Sequence, residues 1–202
     1  MYSVEIFVIS IMLCSVYCWF KPQLKDQLLL DIWAIKSQKE WYRLLSSAFV
    51  HGDIFHLIFN IFWLYDFGKI FISSPSLGNY KDVYFVCLFL GSVLFSNLVT
   101  YRQHADNIIY KSLGASGGVW AVTITSTLLL PNTRLCFFKN FSIKAWQLIP
   151  FLMVREGLFR KYHHKKNINY TAHFAGAFFG LIFAIWINPN VLFHACQQII
   201  SG

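Results

Sequence analysis

Charged residues are scarce in this chain, and their scarcity excludes an ordinary soluble domain. Asp, Glu, Lys and Arg make up 13% of the 202 residues, whereas 56% are hydrophobic and the mean hydropathy is +0.50. Soluble domains carry about a quarter charged residues and just under half apolar ones. This composition is that of a membrane protein, provided that the apolar residues form runs long enough to span a bilayer.

Two further absences exclude other classes of protein. Despite the net charge of +8, no block of five or more basic residues occurs, and Lys and Arg lie between the apolar runs, where they meet lipid headgroups. We therefore expect the lipid bilayer, and no nucleic acid, as a partner. The five cysteines form no C-x-x-C pair, which argues against a zinc site or a disulfide framework, so we expect no metal and no cofactor.

Six apolar segments have about the length of a membrane span, and no charged or low-complexity linker divides the chain. They predict an all-α membrane protein, a six-transmembrane-helix bundle in a single domain over residues 1–202. The first segment lacks the basic start and the cleavage site of a signal peptide, so it is predicted to be an uncleaved helix. Residues 21–53 are predicted to form a structured element at the membrane surface. The segments cover residues 2–20, 55–72, 84–101, 114–131, 143–159 and 170–187.

Four polar residues lie near the starts of the even-numbered segments. His56 and Asn60 are in the second segment, Ser116 is in the fourth and His173 is in the sixth. Even-numbered segments enter the membrane from one side, so these residues are expected at a similar depth, about 5–10 Å below one surface. Because polar side chains are costly inside a membrane, their convergence indicates a functional site.

Small residues predict close packing between the fourth and sixth segments. They recur every four positions, as Gly114 and Gly118 in the fourth segment and as Ala172, Gly176, Gly180 and Ala184 in the sixth. Such stripes let two membrane helices approach closely. We therefore expect the Ser116 hydroxyl to come within hydrogen-bonding reach of the His173 imidazole.

These residue types predict nucleophilic catalysis. Ser116 is the predicted nucleophile and His173 its general base, because a serine hydroxyl is a poor nucleophile unless an adjacent base takes its proton. The attack creates a negative oxygen, for which the predicted donors are His56, Asn60 and the backbone amides at Ala115 and Ser116. No Asp or Glu lies in the opening turns of these three segments, so we predict a dyad and not a triad.

The same residues stand in motifs that resemble those of the rhomboid family of intramembrane serine proteases. The N-terminal set resembles a Trp-Arg motif followed by H-x-x-x-x-H-x-x-x-N, and consists of Trp41-Tyr42-Arg43, His51, His56 and Asn60. The run Gly114-Ala115-Ser116-Gly117 resembles G-x-S-G, and residues 172–180 resemble A-H-x-x-G-x-x-x-G. The motifs occur in the family's order over about residues 41–185.

The resemblance implies an endopeptidase that cleaves transmembrane protein substrates in or near the bilayer, with the fifth helix involved in substrate access. Two departures are Tyr42, inserted between Trp41 and Arg43, and Trp120, which stands where many relatives place a tyrosine against the catalytic histidine. We expect that aromatic packing to persist. The other motif residues are implied to have structural roles: Trp41, Arg43, His51, Gly114, Gly117, Gly118, Trp120, Gly176 and Gly180.

Two alternatives use the same residues differently. The first is a rhomboid-like pseudoprotease that binds or escorts membrane proteins, although such relatives typically lack the serine or the histidine. The second is a small transporter or a haem-binding membrane protein that uses His51, His56, His104 and His173. A reactive-serine probe separates the first alternative from a protease, and the absorbance spectrum of haem tests the second. The sequence sets neither the substrate nor the oligomeric state.

Charge distribution and resemblance disagree on the orientation in the membrane. Of the 17 lysines and arginines, 12 lie on the side of the predicted site, which by the positive-inside rule places that side in the cytoplasm. The rhomboid resemblance implies an active site that faces the extracytoplasmic side. Giving precedence to the resemblance, and finding no added soluble domain, we expect a bacterial cytoplasmic (inner) membrane protein with an extracytoplasmic site.

Overall fold

Helices form most of the chain in the computed structural model, which describes residues 2–138, 141–162 and 169–201. The ten α-helices of these ranges are α1 (Ser3–Phe20), α2 (Pro22–Leu28), α3 (Ile32–Gln38), α4 (Arg43–Ser46), α5 (Ile54–Ser73), α6 (Lys81–Gln103), α7 (Ser116–Leu129), α8 (Ala145–Tyr162), α9 (Tyr170–Ile187) and α10 (Val191–Ser201). Two 3-10 turns cover Ser47–Phe49 and Pro75–Tyr80. The short strands are β1 (Leu30–Asp31), β2 (Lys111–Ser112), β3 (Arg134–Phe138) and β4 (Phe141–Lys144).

Each of the six predicted apolar segments coincides largely with one helix. These helices are α1, α5, α6, α7, α8 and α9. Within the described residues, four helical segments are long and apolar enough to cross a membrane: Ser3–Phe20, Ile54–Ser73, Pro75–Gln103 and Tyr170–Ile187. Helix α7 is shorter than the predicted fourth span, with 14 residues. Helix α8 has 18 residues and contains Pro150 together with charged residues. The helical class is therefore confirmed, whereas six full spans are not.

The predicted surface element between the first two spans is a set of short helices, held together by polar contacts of Arg43 and joined to the segment before α7 by a strand pairing. Strand β1 pairs antiparallel with β2, which lies immediately before the α7 region. Arg43 is 6% exposed and donates to the backbone oxygens of Asp26 and Leu29 and to the Glu40 carboxylate. Trp41 is instead half-exposed and packs edge-on against Tyr101.

Helix α7 is the central helix of the bundle, since nearly all of its residues are buried. It packs against α5, α6 and α9. Its 14 residues measure about 21 Å, roughly 9 Å less than the thickness of a hydrocarbon core. Polar side chains fasten it to its neighbours: Thr125 donates to the Gly180 carbonyl of α9, and Ser126 to the Phe67 carbonyl of α5.

Close packing of α7 and α9 is confirmed, with a correction to the residues of α7 that carry it. A Cβ at Gly176 would lie 2.0 Å from the Gly117 carbonyl oxygen, and one at Gly180 would lie 2.4 Å from the Ala121 carbonyl oxygen. The α7 contact residues are thus Gly117 and Ala121, and not the predicted pair of Gly114 and Gly118. The phase of the helix explains the difference, because Gly118 faces Phe89 of α6.

Candidate active site

The four predicted site residues from α5, α7 and α9 line one cavity of about 350 Å³. Ser116 is the first residue of α7, and His173 lies in the first turn of α9. His56 and Asn60 come from the first two turns of α5, whose N-terminus is capped by Asp53 through the His56 amide. Shared entry from one side thus brings them together, as the spacing predicts.

His173 is held by two neighbours. Its Nδ1 lies 2.8 Å from a carboxylate oxygen of Glu156 in α8. The ring of Trp120 lies beside it, with 6.0 Å between ring centroids, so the predicted aromatic packing is confirmed. Because Nδ1 engages a carboxylate, which only accepts, this nitrogen carries the proton and Nε2 is left as the basic nitrogen.

Glu156 is the site residue that the sequence prediction missed. The dyad prediction depends on the absence of an acid from the opening turns of α5, α7 and α9. The acid near His173 comes instead from the C-terminal half of α8. The expectation of a histidine without an acidic neighbour is therefore wrong. The available signal was the pair Arg155-Glu156 inside an apolar segment, because charges there are costly and mark function.

Asn60 and His56 line the same cavity as Ser116. Asn60 is 6% exposed, and its side-chain amide donates to the His56 carbonyl across 2.8 Å. An amide NH₂ has two protons, so this bond leaves a second one for a ligand. Gly114 has a φ of 115° and a Cβ there would lie 2.7 Å from the His56 ring, so only glycine allows the loop this approach.

The backbone amide of Ala115 does not serve as predicted. It donates to Nε2 of His51 across 3.3 Å, and the Ala115 amide is thereby occupied, which corrects its assignment as an oxyanion donor. The physical reason is that the buried His51 reaches the loop before α7 from the segment preceding α5. The Ser116 amide, in the first turn of α7, has no intrahelical carbonyl partner and remains the predicted backbone donor.

His51 has a structural position that agrees with its implied role. Since Nε2 accepts from Ala115, Nδ1 carries the proton and donates to the Ser15 hydroxyl of α1 across 2.9 Å. The residue is fully buried in the segment before α5. Burial, with a smaller contribution from the neighbouring His56, lowers the pKa of His51 to about 3. His51 thus stays neutral and links α1 to the α7 loop.

His104, the remaining histidine of the haem or transporter alternative, stacks on Tyr110 after the end of α6 and does not line the cavity. Lys139, Lys165 and Lys166, which enter the charge count, lie outside the described residues. The described structure thus presents a helical membrane protein whose serine and histidine share one cavity with polar donors.

Comparison with known proteins gives the family. A model of the Rhomboid domain matches residues 38–190. The presenilin-associated rhomboid-like protein, mitochondrial, of Mus musculus is 27% identical over 167 residues, covering 77% of this chain and 42% of that protein. Rhomboid protein 1, mitochondrial, of Saccharomyces cerevisiae is 27% identical over 159 residues, covering 73% of this chain and 42% of that protein. The chain belongs to the rhomboid family.

A plant relative broadens the comparison and corrects the expected location. Rhomboid-like protein 11, chloroplastic, of Arabidopsis thaliana is 27% identical over 154 residues, covering 73% of this chain and 52% of that protein. The chain thus spans about half the length of these curated relatives. Their names point to an organellar membrane, and the expectation of a bacterial inner membrane is wrong. An integral membrane location is supported by the helices described above.

Proposed function

We propose that this protein is an intramembrane serine endopeptidase, with Ser116 as nucleophile and His173 as general base. The observation that carries the proposal is the cavity in which these two residues meet His56 and Asn60, in a chain of the rhomboid family. A binding or escort function needs no base beside a serine. The presence of both residues therefore favours a protease over a pseudoprotease.

The proposed reaction follows serine chemistry. The Ser116 oxygen forms a bond to the carbonyl carbon of the substrate peptide while its proton passes to Nε2 of His173. The negative oxygen is stabilised by the second amide proton of Asn60, by His56 and by the Ser116 backbone amide. The His173 proton then passes to the leaving amine as the C–N bond breaks. Water, deprotonated by the same histidine, releases the acyl group and restores the serine.

The proposed substrates are transmembrane segments of other proteins, reached from the side of the bundle between α5 and α8. The cavity is lined on that side by Phe55, Phe59 and Trp63 of α5 and by Leu152 of α8. Its volume of about 350 Å³ accepts a few side chains and not a helix, which is about 10 Å wide. A substrate helix must therefore unwind locally, and segments rich in small or helix-breaking residues are the proposed targets.

We propose further that α7 and α8 complete a bundle of six membrane helices and that the membrane is an organellar one. Helix α7 is shielded from lipid by its neighbours, so it does not need the length of a lipid-facing span. Helix α8 exposes Phe151, Val154 and Leu158, an apolar surface suited to lipid. The names of the relatives support a mitochondrial or chloroplast membrane.

A fluorophosphonate probe tests the proposed nucleophile. The purified wild-type protein is expected to be labelled, whereas Ser116→Ala and His173→Ala are expected to show no labelling. Ser92→Ala is the matched control, because Ser92 is a buried helical serine of α6 that donates to the Phe89 carbonyl of its own helix. Equal labelling of wild type and Ser116→Ala would overturn the assignment. No labelling of a folded wild-type protein that still binds a transmembrane peptide would favour the pseudoprotease.

A further inference from the structure

Glu156 is a buried carboxylate in a helix that exposes the apolar side chains of Phe151, Val154 and Leu158. The residue is 4% exposed, and both of its oxygens are engaged. One accepts from Arg155 across 2.9 Å, and the other lies 2.8 Å from Nδ1 of His173. Burying a charge is costly unless it is paired and hydrogen-bonded, and this arrangement supplies both conditions. A buried and paired carboxylate beside the proposed general base suggests that Glu156 has a role at the site.

The position of Glu156 allows it to orient His173, the proposed general base. The contact between Glu156 and His173 joins the C-terminal half of α8 to the first turn of α9. Glu156, His173 and Ser116 all line the same cavity, and they come from three different helices. A carboxylate on Nδ1 fixes both the tautomer and the orientation of the imidazole, which leaves Nε2 for the serine proton.

We propose that Glu156 is a positioning residue that completes the Ser116–His173 pair as a third member, an inference that rests on the function proposed above. During attack, the Ser116 proton moves to Nε2 of His173, and the resulting imidazolium keeps its Nδ1 proton hydrogen-bonded to the carboxylate. No proton passes to Glu156. When the amine leaves, the Nε2 proton goes with it, and the imidazole returns to its starting tautomer. Arg155 supplies a positive charge to the second oxygen of the carboxylate.

Other charged and titratable groups surround His173 and have to be separated from Glu156. His56 and Asp53 face the cavity from the α5 side, and Arg155 faces it from α8. On α9 itself, the ring of Tyr170 lies edge-on to His173 with 6.3 Å between centroids. These groups are unchanged by a substitution at position 156. A difference in labelling rate between wild type and Glu156→Gln therefore reports the loss of the carboxylate.

The test is the rate of fluorophosphonate labelling of Ser116. Glu156→Gln keeps the size of the side chain but removes the charge that stabilises the imidazolium formed during attack. We expect it to slow labelling by about 10²- to 10⁴-fold. Glu156→Asp, which keeps the charge, is expected to recover at least about tenfold of the rate.

A matched control removes another carboxylate from the helices. Glu5→Gln breaks the ion pair between Glu5 of α1 and Lys69 of α5. Lys69 lies thirteen residues, or about 20 Å, along α5 from His56, so labelling is expected to keep the wild-type rate. A wild-type labelling rate in Glu156→Gln would overturn the proposal. Slower labelling in Glu156→Gln with no recovery in Glu156→Asp would also overturn it by showing a structural role only.

A second measurement needs no stable variant at position 156. Nitrogen chemical shifts of labelled histidine in the wild-type protein identify the tautomer of neutral His173, whose signal is assigned by its loss in His173→Ala. A proton on Nδ1 is expected, and a proton on Nε2 would overturn the proposal even if Glu156→Gln did not fold. A folded wild-type protein that fails to label at Ser116 would instead refute the proposed protease function, which separates the two failures.

Discussion

Adding one methyl group at Gly176 is expected to separate the two helices that carry the serine and the histidine. A Cβ at this position would lie 2.0 Å from the Gly117 carbonyl oxygen, about 1.4 Å short of the 3.4 Å at which ordinary contacts begin. The nearest atoms all belong to the backbone of α7, so no side-chain rotation relieves the clash. Gly117 follows Ser116, and Gly176 is one turn from His173. The displacement therefore acts directly on the pair.

The magnitude follows from the size of that displacement. Misplacing catalytic groups by about 1 Å costs roughly 10²-fold in rate, so Gly176→Ala is expected to label with fluorophosphonate at least about 100-fold more slowly than wild type. Overpacking is also expected to lower the free energy of unfolding by about 1–3 kcal/mol. Both quantities are measured on purified protein in the same detergent, with the labelling rate taken well below the unfolding transition.

Gly157→Ala is the control for Gly176→Ala. Gly157 lies in α8, where an added Cβ would meet nothing within 4 Å. This change is expected to leave labelling unaltered and to stabilise the helix by up to about 1 kcal/mol, because alanine favours helix more than glycine does. Wild-type labelling and wild-type stability in Gly176→Ala would refute the inference that backbone contact between α7 and α9 sets the geometry of the site.

Three further predictions concern buried polar groups. Arg43→Ala is expected to lower the free energy of unfolding by about 1–3 kcal/mol, because it leaves the buried Leu29 carbonyl without its donor. An unchanged unfolding curve would contradict this. Asn60→Ala is expected to reduce cleavage by about 10²- to 10³-fold through loss of an oxyanion donor while the protein stays folded, and an unchanged turnover number would remove Asn60 from that role. Lowering the pH from 7 to 5 is expected to cost roughly 2 kcal/mol of stability through His51. Unfolded His51 takes up a proton near pH 6.5, whereas the folded residue stays neutral down to about pH 3. The free energy of unfolding of His51→Asn is expected to lack this pH-dependent contribution. Equal pH dependence of the unfolding free energies of wild type and His51→Asn would contradict the assignment.

The features that sequence alone predicted are those that helix periodicity determines directly. Spacing of four residues places small side chains on one face, so the approach of α9 to α7 could be anticipated from Gly176 and Gly180. Common entry of alternate helices likewise predicted that His56, Ser116 and His173 would meet. Both inferences depend on local residue spacing and on the number of membrane crossings. Neither requires knowledge of which distant segments of the chain are in contact.

The missed features depend on contacts between distant segments. Glu156 interrupts an apolar run, but nothing in the spacing of α8 indicates which helix end it meets. The pairing of β1 with β2 joins residues about eighty positions apart, for which two-residue strands carry no sequence signal. The bond between His51 and the Ala115 amide is of the same kind. Such contacts depend on the three-dimensional arrangement of the helices, and residue spacing within one helix carries no information about that arrangement.

Cleavage in a lipid bilayer tests the central claim most directly. Wild-type protein, Ser116→Ala and His173→Ala are reconstituted in liposomes with a single-span substrate whose helix contains small and helix-breaking residues. The proposed mechanism predicts that wild type cuts the substrate within or near its membrane segment. It also predicts that each variant, although folded, yields no product above the spontaneous rate. Cleavage by Ser116→Ala at the wild-type rate would contradict the assignment of Ser116 as the nucleophile, and with it the proposed function.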